Sequence, residues 1–300
     1  MSWEQHWVDA NGVRLSVLES GPADGPPVVM LHGMRDVAES LLPVAERLTE
    51  RYRVLLLELR GHGRSDQSGC YTFEHYLFDL NALWRVRGLS DAHVFGHSLG
   101  GQILVRFASV FPALVRTAIV VEGLGPPDRP DDEAPDGWLT AYGQHLLAAL
   151  GAPTRQRPLP DIAFAAKRLL ANNPRLDPAE ADRIARVATN RQADGSLVWA
   201  FDPRIAMTFT ARTRRADTEP FWRNVRCPTL IVSGDLAHEY WRAQFPVDWD
   251  GRFAPGELEA RVRLFADHEH VALPGAGHMV HYDQPEALAA AVLDYLERHG

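Results

Sequence analysis

The stretch Val94-Phe95-Gly96-His97-Ser98-Leu99-Gly100-Gly101 constrains the fold more than any other part of the chain. A short β-favouring run, Ala92 to Phe95, enters it, and a helix-compatible run, Leu99 to Phe111, leaves it. Between them Gly96, Ser98 and Gly100 spell G-x-S-x-G, the spacing of a serine held on a sharp strand-to-helix elbow. Such a turn is strained and crowded, so a Cβ at either flanking position would clash. The elbow holds the Ser98 hydroxyl clear of the backbone. It also sets the Leu99 N–H at the first turn of a helix, where it would face a developing oxyanion. Taken alone, the same residues also describe an ordinary Gly-rich turn with a surface serine, so the rest of the chain has to discriminate.

The flanking pattern is alternation. Asn11-Gly12 between the runs Trp3–Val8 and Val13–Glu19 is a hairpin signal and predicts two antiparallel strands at one edge. Val28–Leu31, Val54–Leu57, Val115–Val121 and Thr229–Val232 are short and continuously apolar, as strands covered on both faces are. Glu269–Leu273 is the last predicted strand. Helical spacing separates them: 37–49 with Leu41, Ala45 and Leu48; a helix capped by Thr72 carrying Phe73, Leu77, Leu80 and Trp84; the elbow helix with Ile103, Phe107 and Val110, ended by Pro112; 257–265; and a closing helix over 285–298. Strands alternating with helices favour parallel pairing through right-handed crossovers, so the fold class is α/β with helices on both faces of a mostly parallel sheet.

The alternation stops after Glu122. Gly125-Pro126-Pro127 opens an acidic loop with Asp128, Asp131, Asp132, Glu133 and Asp136. Amphipathic helices follow with no strand expected between them. One carries Trp138, Tyr142, Leu146 and Ala149, one starts at Asp161 and stops at Asn172-Asn173-Pro174, and one is capped by Asp177 with Pro178 at its first position. The strand pattern then resumes. This predicts a core of 1–124 and 223–300, with 125–222 inserted as a helical cap.

Three hundred residues at 46% hydrophobic and 23% charged are the composition of a globular protein. A net charge of −8 without a basic stripe argues against nucleic acid; the one basic cluster, Arg212, Arg214 and Arg215, fits a solvated helix end. No apolar run approaches the roughly 18 residues of a membrane span. Met1–Ala10 carries polar and charged residues where a signal peptide needs an apolar stretch, so a cytoplasmic location is expected. Cys70 and Cys227 have no metal-like spacing and are expected to be buried thiols.

Three loops fall at the C-terminal ends of predicted parallel strands, where sites assemble in open α/β sheets. They bring His32-Gly33-Met34, Ser98 and His278. A serine needs a base, and a distant histidine on a Gly-rich loop can supply one. At this point the chain resembles the α/β-hydrolase fold family over nearly its whole length, most weakly in the cap. The likeness rests on Leu31-His32-Gly33-Met34, Arg60-Gly61-His62-Gly63-Arg64-Ser65-Asp66, Gly96-His97-Ser98-Leu99-Gly100-Gly101 and Pro274-Gly275-Ala276-Gly277-His278, in that order. The resemblance implies Ser98 as nucleophile, His278 as general base, and the N–H groups of Met34 and Leu99 as the oxyanion hole, with no metal and no cofactor.

The acid departs from the family's commonest pattern. Many relatives carry an aspartate three residues beyond the glycine ending the strand before the last; here that glycine is Gly234 and the third residue is Ala237. Asp235 and Glu122 are the substitutes. Some relatives carry their acid after the strand that follows the elbow helix, which is the place of Glu122. A carboxylate ending the apolar run Ile119-Val120-Val121 needs a partner if buried, so Glu122 is preferred, with Asp235 as a turn residue.

Plainer readings are preferred elsewhere. His97 packs or bonds locally, His32 braces the oxyanion loop, His62 and Arg64 hold their own loop, and Asp66 caps or pairs with an arginine. Trp138, Tyr142, Trp199 and Phe201 either line an acyl pocket or form the cap's own core. The function expected is hydrolysis of an ester-like bond in a small molecule through an acyl-enzyme. The rivals are C–C or thioester hydrolysis, cofactor-free oxygen chemistry, and a non-catalytic ligand-binding role on the same scaffold. A serine in the elbow argues against chemistries that need a carboxylate nucleophile. Neither nucleic acid nor membrane is expected as a partner, and the oligomeric state is unreadable.

Overall fold

The computed structural model describes residues 2–128, 137–151, 156–209, 215–244 and 249–299. Asn11 and Gly12, both at positive φ, turn β1 (Glu4–Ala10) into antiparallel β2 (Val13–Ser20). β3 (Pro27–Leu31), a one-turn α1 (Leu42–Ala45) and β4 (Arg53–Leu57) follow. Next come α2 (Phe73–Arg87), β5 (Ala92–His97), α3 (Leu99–Val110) and β6 (Val115–Val121). The inserted region holds α4 (Gly137–Leu150), α5 (Ile162–Asn172), α6 (Pro178–Val187), β7 (Thr189–Arg191), β8 (Leu197–Trp199) and α7 (Arg215–Asn224). The chain closes with β9 (Thr229–Gly234), α8 (His238–Gln244), α9 (Glu257–Val262), β10 (His268–Leu273), α10 (Val280–Asp283) and α11 (Pro285–His299).

Eight strands form one sheet in the order β1-β2-β4-β3-β5-β6-β9-β10. β1–β2 and β2–β4 pair antiparallel, and every other pair is parallel. Successive side chains point to opposite faces, which splits the core in two. Val29, Leu31, Val94 and Val120 pack with Leu80, Ile103, Phe107 and Trp222 on one face. Val28, Met30, Phe95 and Ile119 pack with Val44, Leu48, Leu288 and Val292 on the other. Both faces are covered, which is why these strands read as unbroken apolar runs.

The inserted region is tied to the core by backbone as well as side chains. Gly63 N–H donates to Ala200 O at 2.5 Å and Asp202 N–H to Gly61 O at 2.7 Å, so the 58–66 loop pairs locally with Ala200–Asp202. The Tyr71 hydroxyl donates to Asp202 at 2.7 Å. Asp161 and Asp177 cap their helices by accepting from Phe164 N–H at 2.7 Å and Ala179 N–H at 2.8 Å.

Several sequence expectations need correction. The insert is not strand-free: Asp194-Gly195, with Gly195 at φ +84°, turns β7 back onto β8. The expected 37–49 helix shrinks to a 3₁₀ turn over Ala38–Leu41 followed by the single turn of α1, because Pro43 supplies no N–H to an earlier turn. Thr72 stands at the N-cap of α2, but its hydroxyl bonds the His75 ring at 3.0 Å rather than the helix N–H groups. The connection after β9 contains α8, which periodicity did not reveal. Cys70 is exposed and Cys227 half-buried, each a free thiol. Arg215 opens α7 and pairs with Asp128 and Glu219; Arg212, Arg214, Asp131, Asp132, Glu133 and Asp136 lie outside the described residues. No helix among the described residues is long and apolar enough to cross a membrane.

Candidate active site

Adjacent parallel strands end at one level of the sheet and deliver the site. Ser98 follows β5, with φ +51° and ψ −112°, and its N–H donates to Val121 O at 2.9 Å. The strain is held by close packing. A Cβ on Gly96 would collide with the Gly100 carbonyl, and one on Gly100 with the Leu31 carbonyl. Glu122 follows β6 in the same left-handed region, φ +50°, its N–H bound to Val232 O at 2.9 Å. His278 stands five residues after β10, on the Gly-rich loop.

These three side chains form one chain of hydrogen bonds. His278 Nε2 lies 3.0 Å from Ser98 Oγ, and His278 Nδ1 lies 3.0 Å from Glu122 Oε2. Glu122 Oε1 accepts from Gly234 N–H at 2.9 Å, so both carboxylate oxygens are engaged. The His278 and Glu122 side chains are 2% and 6% exposed, a nearly dry pair in which neither group is left unsatisfied. Asp235 is not part of this chain. Its Oδ1 accepts from Gly275 N–H at 2.8 Å, a turn contact. Ala237, at the position where many relatives carry an aspartate, donates its N–H to Gly234 O and begins the turn into α8.

Met34 and Leu99 flank the serine on the β3 and β5 sides. Neither backbone N–H has a hydrogen-bond partner among the described residues. Leu99 is the first residue of α3, where an N–H has no partner within the helix. Gly33 keeps the β3 loop tight to the elbow: a Cβ there would sit 2.9 Å from His97 Nδ1 and 3.4 Å from Ser98 Cβ.

Histidines brace these loops. His32 Nδ1 lies 2.8 Å from Gly33 O and its Nε2 3.0 Å from the Glu58 carboxylate. Burial lowers the affinity of His32 for a proton, but the hydrogen bond and charge of Glu58 prevail and raise its pKa. His62 Nδ1 lies 3.0 Å from Arg60 O, and its Nε2 accepts Arg35 N–H at 3.1 Å; burial, helped by the His32 charge, pushes it down to about 3. His97 Nε2–H donates to the His278 carbonyl at 2.8 Å, tying the elbow to the His278 loop. Burial and two neighbouring histidines hold His97 far below the usual imidazole range. Arg64, expected to hold its own loop, reaches Gln5 and Glu39 instead, and Asp66 accepts from the backbone N–H of Arg14 at 2.8 Å.

Sequence reasoning missed two features. Tyr240 of α8 stacks on the His278 ring at 4.1 Å and 15°, and Trp241 meets the same ring edge-on at 5.0 Å. Asp36, just beyond the Met34 loop, is buried and takes four donors: Val37 N–H at 2.9 Å, Ser40 Oγ at 2.7 Å, Tyr282 Oη at 2.9 Å and His281 Nε2 at 3.2 Å. It links the Met34 loop to the segment after His278. Asp36, His97 and His281 could in principle ligate a metal, their donor atoms lying within 4.8 Å of one another. With four donors already on the carboxylate, hydrogen bonding accounts for the cluster. The only local signal was the polar residue itself; His281 lies 245 residues further along the chain. Among the suggested pocket aromatics, Trp199 packs with the insert's own helices, and Phe201 bridges to His62. Tyr142 is half-buried, and the side chain of Trp138 lies outside the described residues.

A model described as the alpha/beta hydrolase family matches residues 28–291, from β3 into α11. The chain belongs to the alpha/beta hydrolase family. Relatives within this family include a 2-(acetamidomethylene)succinate hydrolase of Mesorhizobium japonicum, 28% identical over 97% of this chain and 94% of its own. Another is a putative carbamate hydrolase, RutD, of a Caulobacter species, 26% identical over 93% and 94%. The structure of an E-2-(acetamidomethylene)succinate hydrolase superposes with a TM-score of 0.78 at 25% identity, covering 99% of this chain and all of that one. A thioesterase domain from the curacin biosynthetic pathway shares the alpha/beta hydrolase fold at a TM-score of 0.79 and 24% identity, covering 98% of this chain and all of its own.

Proposed function

We propose that this protein is a serine hydrolase that transfers the acyl group of a small ester- or amide-like substrate to water. The single observation carrying this reading is the chain Ser98 Oγ, His278, Glu122, with both links at 3.0 Å. His278 Nε2 takes the Ser98 proton as Oγ attacks the substrate carbonyl. Glu122 accepts from Nδ1–H, holds the ring in the tautomer that leaves Nε2 free, and stabilises the imidazolium that forms. The N–H groups of Met34 and Leu99, without partners among the described residues, receive the oxyanion. His278 then gives its proton to the leaving group, and later draws one from the water that cleaves the acyl-enzyme. Every step uses protein groups and water.

Residues 125–222 act in this reading as the cap over the site, with 1–124 and 223–300 as the core. The pairing of Ala200–Asp202 with the 58–66 loop supports that placement. The names of the full-length relatives point to hydrolysis at acetamido and carbamate groups, so amide-like bonds belong in the substrate search beside esters and thioesters. Ala237 was the feature favouring a binding-only role, and the Glu122 contact with His278 supports the catalytic reading over it.

The test is covalent labelling by a fluorophosphonate, with turnover of a panel of aryl esters, thioesters and N-acyl enamines. Ser98→Ala is expected to abolish labelling and to lower turnover by several orders of magnitude while the fold survives. Turnover near wild type in Ser98→Ala on every substrate would remove Ser98 from its role.

A further inference from the structure

Arg35 is the residue immediately after Met34, and it occupies the left-handed region at φ +64°, which a non-glycine residue rarely adopts. The backbone is fixed on both sides of it. His62 Nε2 holds its N–H at 3.1 Å, and Asp36, next in the chain, is buried under four hydrogen bonds. Strain of this kind persists where the surroundings over-determine it, and such positions cluster at ligand clamps. The side chain is exposed and has no carboxylate partner among the described residues. Several other arginines are paired: Arg175 with Glu239 and Asp283, Arg183 with Glu180, Arg204 with Asp202, and Arg64 with Glu39. The guanidinium lies 5.9 Å from the Phe201 ring, on the strand-like segment that pairs with His62. Its charge also reaches Tyr240, the ring stacked on His278, where it works against the rise that burial gives the phenol. A cation without a carboxylate partner among the described residues thus stands one residue beyond Met34, beside Phe201, in a protein whose net charge is −8.

We propose that Arg35 is a specificity-determining residue that receives a carboxylate of the substrate. A guanidinium matches a carboxylate with two parallel N–H donors, which gives orientation as well as attraction. A rigid backbone lowers the entropy lost when the side chain engages. The substrate class is therefore a small carboxylic acid bearing the cleavable acyl bond. This rests on the acyl-transfer reading above for the location of the reacting carbonyl.

The probe is glutarate, with neutral glutaramide as its control, titrated calorimetrically into wild type, Arg35→Gln and Arg35→Lys. Both substitutions are at an exposed side chain and keep an unbranched polar chain there. Saturable glutarate binding to wild type is expected, weakened about tenfold to a hundredfold in Arg35→Gln, the range for a hydrogen bond to a charged group. Arg35→Lys should recover part of it, and added salt should erode the difference. Glutarate should also slow fluorophosphonate labelling of Ser98 in wild type but not in Arg35→Gln. No saturable binding to wild type, equal binding to wild type and Arg35→Gln, glutaramide binding with the same Arg35 dependence, or Arg35-dependent binding that leaves labelling unslowed would each overturn the inference. If Ser98 takes no label at all, the acyl-transfer reading fails by itself, and the calorimetry still decides whether Arg35 binds a carboxylate.

Discussion

Glu122 and Asp235 are both acidic residues at the ends of neighbouring strands, and local chemistry does not separate them. Backbone geometry does. Glu122 sits at φ +50°, and its longer side chain spans from the end of β6 to His278 Nδ1 and Gly234 N–H together. Asp235 spends its oxygen on Gly275 N–H. Glu122→Gln is therefore expected to lower kcat by orders of magnitude while preserving size. In Ser-His-Asp proteases, where the same charge has been removed from the acid, the cost is about 10⁴-fold through the wrong tautomer. Asp235→Asn should leave kcat within a few-fold and cost on the order of 1 kcal/mol of stability through one local hydrogen bond. Steady-state kinetics and thermal melts on the two variants check both statements, and a reversed order of the kcat losses would transfer the acid's role to Asp235.

At the scale of elements, the loop after β4 is the hub that carries the site's supports, and a buried ion pair anchors it to α2. Arg60 donates Nε to Asp79 Oδ2 at 2.6 Å and Nη2 to Oδ1 at 2.5 Å, and both side chains are only 2–3% exposed. Such a pair is weak evidence of net stabilisation, but removing one partner strands the other in a dry interior. Asp79→Ala is expected to destabilise the protein by about 3–5 kcal/mol, read from denaturant unfolding. The same loop holds His62, which in turn holds Arg35, so the variant should also lose Arg35-dependent glutarate binding. A loss below about 1 kcal/mol would mean that Arg60 finds water or another partner.

For the whole molecule, buried histidines set the acid limb of stability. Burial pushes His62 down to about 3, His93 to about 4 and His97 well below its ordinary value, and smaller shifts in the same direction occur at His75 and His270. Below pH about 6.5 the unfolded chain protonates these groups while the folded protein does not, so stability rises with pH across that range. Asp79, raised to about 6 by burial, and Glu39, raised by burial and the nearby Glu58, work in the opposite sense, since the folded state keeps their protons longer. His32, raised by Glu58 against the effect of burial, adds stability that is complete below its unfolded value and is lost as pH rises through its higher folded value. Three strongly depressed histidines outweigh two raised carboxylates. Tm should therefore fall as pH drops from 6.5 to about 4.5, each histidine contributing up to about 1.4 kcal/mol per pH unit. Melting curves across that range test it; a flat or rising Tm on acidification contradicts it, and His93→Gln should make the slope shallower.

What was legible in the sequence was whatever is written in short-range pattern. The Asn11-Gly12 hairpin, the strand runs covered on both faces, the capped helices at Asp161 and Asp177, and the glycines that let the Ser98 turn close all follow from periodicity or from a local steric demand. The family's motifs also singled out Ser98 and His278, whose side chains the structure brings together, because each sits in its own recognisable loop. Pattern failed where a partner came from far along the chain or a single residue overruled a period. Pro43 broke the expected 37–49 helix, and the turn at Gly195 folded the polar triplet Thr189–Arg191 and the short apolar triplet Leu197–Trp199 into β7 and β8. The aromatic cover on His278 lay hidden in a stretch without clear periodicity. Above all, only the parallel alignment of β6, β9 and β10 brings Glu122 to His278, which lies 156 residues further along the chain. A residue's type and its local conformation are properties of its neighbours in sequence. Which carboxylate meets which imidazole depends on the strand order of the sheet and on side-chain reach across it, and those exist only once the chain has folded.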